Sequence, residues 1–532
     1  MHLNAGISFP TYPLERIFTM NGAESLVRSL LASGVDTCFA NPGTSEMHFV
    51  AALDQVEGMR CILGMAETVV TGAADGYGRM AGKPAATLLH CGPGFANGLA
   101  NVHNARRANS PMVNIVGDQA TYHRPYDAPL TSDTEGLARA SSHWVRTSAS
   151  STTVGADAAA AVQAANTAPG QIATLILPAD TAWNDGGVVA APLPVPARPR
   201  VAPDTLRTIA QVLRRKEPAM LVLYGQALSE AGLAAANRVA HVSGAKLRTP
   251  TQVSRMARGR GRVPVDRIPY VIDGAIKALV GIKHVILVGA KPPTGFFAYP
   301  GKPSLMAPPD SDTYVLARPE QDAIAALDAL ADELGAPRLV PIPEAGTKPE
   351  LLRGKFEPEA FAVTLAALLP ENCIVSEDGV TSGRGLFAPT FNAAPMDWLQ
   401  NTGGAIGHAF PCATGAAIAC PERKVVCLQA DGAGMYSLQA LWTQGREKLD
   451  VVNVVFANQI YKILYGELVS VGAKPGRASN ELFDLARPEL DWVKLAGGMG
   501  MEATRVDTLE TFADVFKSAC GSKGPFLIEF RI

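Results

Sequence analysis

The sequence predicts an α/β protein built as three doubly wound parallel-sheet domains. Strand-like apolar runs alternate with helical patterns along most of its 532 residues, the pattern that puts helices on both faces of a parallel sheet. That length exceeds what one hydrophobic core sustains. Two proline-dense stretches, "APLPVPARPRVAP" (191–203) and "GAPRLVPIPEAGTKPE" (335–350), stop helices and central strands alike and read as linkers. The expected domains are therefore 20–190, 202–335 and 350–532, each of ordinary size.

The regular pattern begins at Met20. Asn21 can cap a helix through Leu31 that places Leu26, Val27 and Leu30 on one face. "DTCFA" reads as a strand, "NPG" as a turn and "TSEMHFVAALDQV" as a helix. "RCILG" is a strand leading into the helix "AETVVTGAADGYGRMAG". Next come the buried strand "PAATLLH", the glycine-opened helix "CGPGFANGLANVHNARRA" and the strand "PMVNIVG". The middle segment repeats the alternation more loosely, with strands at "AMLVLYG" and "KHVILVGA". The third repeats it with "CIVSEDG", "KVVCLQADG" and "DVVNVVFAN". Residues 1–19 lack a charged start followed by an apolar run, so they read as an extension or a mis-assigned start rather than a signal peptide.

Composition narrows the function. With 47 basic against 49 acidic residues and a net charge of −2, nothing favours nucleic acid or an anionic membrane as partner. No run approaches the ~20 apolar residues of a membrane helix. The eight cysteines form no CxxC pair and most lie in apolar runs, which points to a reducing, cytoplasmic setting.

In open parallel sheets, ligands sit where strands end and glycine-rich turns begin. The strongest such signal is "VVCLQADGAGMYSLQALWTQGREKLDVVNVVFANQIY". One buried strand ends at Asp431-Gly432 and a second at Asn458, so a carboxylate and an amide oxygen can reach one hard cation. Gly432 and Ala433 open a helix whose N–H groups can approach a phosphate. Taken singly, an Asp-Gly after a strand also serves as a helix cap or turn.

This segment resembles the cofactor-binding motif of the thiamine-diphosphate enzyme family, which begins Gly-Asp-Gly and ends Asn-Asn. Here Ala430-Asp431-Gly432 and Asn458-Gln459 hold that pattern, with Asp431 and Asn458 separated by 27 positions. The resemblance implies thiamine diphosphate and Mg²⁺ as cofactors. It implies Asp431, Asn458 and the carbonyl of Ile460 as metal ligands, and Tyr461 beside a phosphate. It names the three domains pyrimidine-binding, central and diphosphate-binding. Upstream, "NTGGAIGHAFPCATGAAIAC" is similar to the segment that wedges an apolar side chain under the cofactor, here Ile406; a stiff β-branched residue suits that task, although it also suits ordinary core. "SEDGVTSG" resembles the loop bordering diphosphate and pyrimidine, which brings in Gly379 and Val380.

The helix in "GMAETVVTGAADGYGR" resembles the one carrying the family's near-universal glutamate, here Glu67. A carboxylate bonded to the cofactor's pyrimidine nitrogen favours the imino tautomer that removes the thiazolium C2 proton. On its own, Glu67 also fits as an acid favoured by the dipole at a helix start. In the family this glutamate meets the diphosphate end of another chain, so the resemblance implies a homodimer or homotetramer.

On the substrate side, "NPGTSEMHF" resembles the turn of 2-oxo acid decarboxylases that presents a hydroxyl to the substrate carboxylate, here Thr44. "LLHCGPG" resembles their strand-end histidine, here His90, which can move protons near neutrality or simply close an apolar strand. The implied substrates are small 2-oxo acids, aldehydes or ketones. The chain is similar overall to acetolactate-synthase-like large subunits and shares the Asn-Pro-Gly turn with benzoylformate-decarboxylase-like enzymes. It lacks the Arg-Phe-Asp-Asp-Arg stretch of flavin-binding members between 200 and 335, so FAD is not expected; "AKPPTGFFAYPGKPS" supplies Phe296, Phe297 and Tyr299 where a second histidine stands in the decarboxylases. In the helix "YKILYGELVSVG", Ile463, Leu464 and Glu467 face the pocket if that side turns inward; otherwise Glu467 is a solvated helix residue. A catalytically silent partner or regulatory subunit is the alternative, weakened by retention of Glu67, Asp431 and Asn458 together. A nicotinamide dehydrogenase would need a GxGxxG turn that "ANPGTSEM" does not supply.

Overall fold

The computed structural model describes residues 20–344 and 348–532, so the reading of residues 1–19 lies outside the described residues. Among the described residues, eighteen strands form three sheets. The first takes β1 (Thr37–Ala40), β2 (Arg60–Leu63), β3 (Ala85–Leu89), β4 (Met112–Asp118), β5 (Trp144–Thr147) and β6 (Ile172–Pro178), in the order β2-β1-β3-β4-β6-β5 and parallel throughout. The second takes β7 (Ala219–Leu223), β8 (Lys246–Thr249), β10 (Asp266–Arg267), β11 (His284–Val288) and β12 (Asp312–Ala317), in the order β10-β8-β7-β11-β12, also parallel. The third takes β13 (Ile374–Asp378), β14 (Met396–Gln400), β15 (Val425–Ala430), β16 (Val451–Ala457), β17 (Glu502–Val506) and β18 (Phe526–Arg531). Its order is β17-β18-β16-β15-β13-β14-β9.

That last strand departs from an all-parallel expectation. β9 (Met256–Arg258) leaves the middle segment and pairs antiparallel with β14. Arg258 anchors it. The guanidinium is fully buried and lies 3.9, 4.1 and 5.0 Å from the ring centres of Phe387, Phe391 and Trp398, a cation–π cage. A three-residue strand with a central alanine carries too little pattern to be read from sequence.

Local expectations hold closely. Asn21 caps the helix Gly22–Ala32, its side chain accepting from Glu24 N. One face of the first sheet is covered by Leu26, Leu30, Phe49 and Val162. The other shares a continuous core with the third sheet, in which Phe39, Val70 and Met112 join Phe410, Val455 and Trp492. The shared core forms where helix Glu67–Ala81 crosses helix Ala409–Ala419. Glycines make the crossing close: a Cβ at Gly76 would lie 2.0 Å from the Cys412 carbonyl oxygen, and one at Gly415 would lie 1.8 Å from that of Ala73. Only a residue without a side chain permits that approach. Among the described residues, no helix is long and apolar enough to cross a membrane.

Candidate active site

β15 and β16 are parallel neighbours with Ala430 opposite Phe456, so their next residues leave the sheet side by side. Asp431 is 2% exposed, and its carboxylate accepts from Gly432 N at 2.8 Å and Gln459 N at 2.6 Å. Asn458 Oδ1 accepts from Ile460 N at 3.0 Å. Gln459, at φ +58°, turns the chain between them. Burial raises the Asp431 pKa above its ordinary value against the opposing backbone N–H groups, and a cation would offset that desolvation. A carboxylate and an amide oxygen are hard oxygen donors that suit Mg²⁺; the Ile460 carbonyl, two residues beyond Asn458, accepts from Lys462 N at 2.9 Å. Beside them, a Cβ at Gly432 would meet the Tyr461 ring at 2.5 Å, while Ala433 is buried.

The loop carrying Ile406 is held on every side. Gly407 N and His408 N donate to Asp378 Oδ2 at 2.8 and 3.0 Å. Gly404 N donates to Asn401 Oδ1 at 2.9 Å, and Asn401 Nδ2 returns to the Ala405 carbonyl at 2.8 Å. Asn104, from helix Cys91–Ala108, donates to the same carbonyl at 2.8 Å. Ile406 itself stays half-buried between Gly404 and Gly407, both at positive φ. Gly379 and Val380 follow Asp378 at the end of β13. Val380 has φ +48°, costly for a β-branched residue and of the kind that collects at functional sites.

The first sheet supplies a second group of residues. Glu67 begins its helix, 9% exposed, and its Oε2 accepts from Asn97 Nδ2 at 3.3 Å. Gly94 leaves room for it, since a Cβ there would stand 3.0 Å from Glu67 Oε1. His90 follows β3 as the N-cap of helix Cys91–Ala108 and places Nδ1 2.9 Å from Glu46 Oε2. Ser45 Oγ lies 3.2 Å from the same nitrogen, whereas Thr44, one position earlier, is exposed. Gly43 allows the Asn-Pro-Gly turn to rest on the imidazole, where a Cβ would come within 2.1 Å of the ring.

Sequence reasoning names Glu67, His90, Asp431 and Asn458 but misses Glu46, Asn97, Asp378, Asn401 and Asn104. Glu46, three residues after Gly43 in the turn, and Asp378, at a strand end just before Gly379, carry the polar strand-end signal that would have found them. The two asparagines inside the Cys91–Ala108 helix show no such signal.

Two family models match the chain. The thiamine pyrophosphate enzyme N-terminal TPP-binding domain matches residues 20–141, and the C-terminal TPP-binding domain matches residues 386–530. A Mycobacterium tuberculosis protein provisionally named acetolactate synthase large subunit IlvX is 50% identical over 512 residues, 96% of this chain and 98% of that one. The benzoylformate decarboxylase of Pseudomonas aeruginosa is 28% identical over 93% of this chain and 96% of its own length. In fold, the chain is similar to the thiamine diphosphate-dependent 4-hydroxybenzoylformate decarboxylase of Rhodococcus jostii RHA1, with a TM-score of 0.84 at 23% identity over 96% of this chain and 99% of that one. Three α/β sheet units, two TPP-binding domains and a full-length relative at half identity place it: the chain belongs to the thiamine pyrophosphate enzyme family, among relatives named acetolactate synthase large subunit and benzoylformate decarboxylase.

Proposed function

We propose that this chain is a Mg²⁺- and thiamine-diphosphate-dependent enzyme that makes or breaks a carbon–carbon bond beside the carbonyl of a 2-oxo acid or related aldehyde or ketone. The observation that carries this reading is the emergence of Asp431 and Asn458 from neighbouring strand ends, each already oriented by backbone N–H groups. When bound, the cofactor supplies stabilisation of negative charge at the former carbonyl carbon. Asp431, Asn458 and the Ile460 carbonyl would hold the metal, with Gly432, Ala433 and Tyr461 beside the diphosphate. Ile406, Gly379 and Val380 would set the cofactor's shape, and Glu67 would hold a proton against its pyrimidine nitrogen. His90 is oriented by Glu46 through Nδ1, which leaves Nε2 to give or take a proton at the substrate. Thr44 or Ser45 would face the substrate carboxylate.

The Glu67 hydrogen bond stays among first-sheet residues and that of Asp431 among third-sheet residues. A homodimer or homotetramer, with sites formed between chains, fits this reading. Flavin has no part in it, since the middle segment lacks the flavin-associated stretch. Retention of Glu67, Asp431 and Asn458 in bonded positions supports an active enzyme over a silent partner. The test is to load the purified protein with Mg²⁺ and thiamine diphosphate and follow pyruvate, branched and aromatic 2-oxo acids and 1,2-diketones by mass spectrometry. Stoichiometric FAD in the purified protein, or no turnover of any carbonyl substrate, would overturn it.

A further inference from the structure

Helix Lys462–Ser470 follows the proposed metal and phosphate residues directly. Tyr461, Leu464 and Glu467 recur on one side of it. Glu467 Oε1 accepts from the Tyr270 hydroxyl at 3.0 Å, and Oε2 accepts from the Tyr299 hydroxyl. The Tyr270 ring centre is 5.4 Å from that of Phe296, which is 5.0 Å from that of Phe297. Phe296 in turn abuts Gly404, where a Cβ would stand 2.7 Å from the ring tip. Gly404 lies two residues before Ile406. One wall therefore runs from the Ile406 loop through Phe296 and Tyr270 to Glu467, and back along the helix to Tyr461. Phe296 and Phe297 remain 42% and 57% exposed.

The hydrogen-bond inventory of Glu467 and its two phenols is one-sided. Burial, with the neighbouring Glu467 carboxylate, pushes the Tyr299 pKa up to about 12 and raises that of Tyr270 as well. Both hydroxyls keep their protons and give them to Glu467. The Arg384 guanidinium, the donor group nearest them, stands 4.7 Å from the Tyr270 ring centre and engages the face of that ring. Glu467 and its two phenols are left with lone pairs and no proton to offer.

We propose that this wall receives the side chain of the substrate, and that Glu467, held by Tyr270 and Tyr299, selects a carbonyl substrate whose side chain ends in a hydroxyl group. The inference rests on the 2-oxo acid reading above and names the substrate class within it. A hydroxyl donates to the carboxylate in a charge-assisted bond. A methyl terminus displaces water from Glu467 and returns nothing. A latch that merely fastened the helix would not discriminate between such ligands.

The experiment uses phosphonate analogues of two 2-oxo acids of equal length, one ending in hydroxyl and one in methyl, titrated calorimetrically into the Mg²⁺- and cofactor-loaded protein. The hydroxyl analogue should bind about tenfold or more tightly than the methyl analogue. Glu467→Leu should abolish that preference, and the isosteric Glu467→Gln, which preserves the packing, should cut it at least to about a third by removing the charge. Equal affinities in the wild-type protein, no binding of either analogue, or a preference unchanged in both variants would overturn the proposal. Release of CO₂ from the two parent acids is measured in parallel. Its absence for both acids would sink the 2-oxo acid reading, while the phosphonate affinities still decide the pocket.

Discussion

His408 Nε2 lies 2.8 Å from Asp75 Oδ2, joining residues 333 positions apart across the seam between the first and third sheet units. Both side chains are fully buried, and Arg79 grips the same carboxylate at 2.8 and 2.6 Å. The Arg79 guanidinium also reaches the carbonyls of Ser254 and Gln400, so three parts of the chain converge on one buried charge cluster. His408 stands two residues from Ile406, and its own N–H shares Asp378 with Gly407. The seam and the proposed cofactor wedge are parts of one network.

That network carries a pH signature. Burial opposes charge on His408, but Cys412 and Asp75 outweigh it and raise its pKa from 6.5 to about 9. A raised folded-state pKa gives stability that is complete below 6.5 and is lost as pH rises through about 9. His408→Phe should lower stability by about 1–3 kcal/mol near neutrality, with the deficit shrinking as pH rises. Thermal melts of both proteins from about pH 6 to about pH 10 test this. A gap that stays constant would remove the charge from the account.

Asp431→Ala should cost the protein its cofactor. Mg²⁺ would keep one proposed side-chain ligand, so affinity for thiamine diphosphate should fall by about 100-fold or more, beyond the loss typical of a residue that only orients a ligand. Calorimetry with and without Mg²⁺ reads this directly, and unchanged affinity would refute the metal assignment.

Glu67→Gln should bind cofactor normally and turn over slowly, by about 10²–10⁴-fold. The amide fills the same space beside Asn97 and Gly94 but cannot hold the proton. Deuterium exchange at the thiazolium C2 is the readout, and a rate equal to wild type would assign Glu67 another task.

Glu46→Gln separates orientation from chemistry at His90. The carboxylate that fixes Nδ1 is lost while the volume stays, so kcat should fall by about 10–100-fold and the alkaline or acid limb of the pH–rate profile should move. An unchanged profile would make Glu46 a turn residue only.

Much of this is legible in the sequence where the decisive neighbours are local. The strands ending at Ala430 and Ala457 announce themselves as apolar runs, so the sequence alone puts Asp431 and Asn458 at strand ends. The Asn21 cap is of the same kind. What escapes is pairing at a distance. Glu46 and His90 are 44 positions apart, and nothing in either neighbourhood specifies the other. Asp378 meets Gly407 only because β13 and the following loops fold back on the Ile406 segment. Glu467 reads equally well as solvated until Tyr270 and Tyr299 arrive from the middle segment.

β9 alters what the second proline-rich stretch is for. Because Met256–Arg258 is stitched into the third sheet and Arg258 is locked among three rings, the middle unit is fastened independently of the peptide that follows it. The pairing of β9 with β14 holds the middle unit to the third sheet whatever the state of that peptide. A protease nick within 335–350 should therefore yield two fragments that travel together as one particle. A new chain start engineered there would inherit a finished interface. The middle unit would not swing as a hinged body, and motions that open the proposed pocket would have to arise in its surface loops.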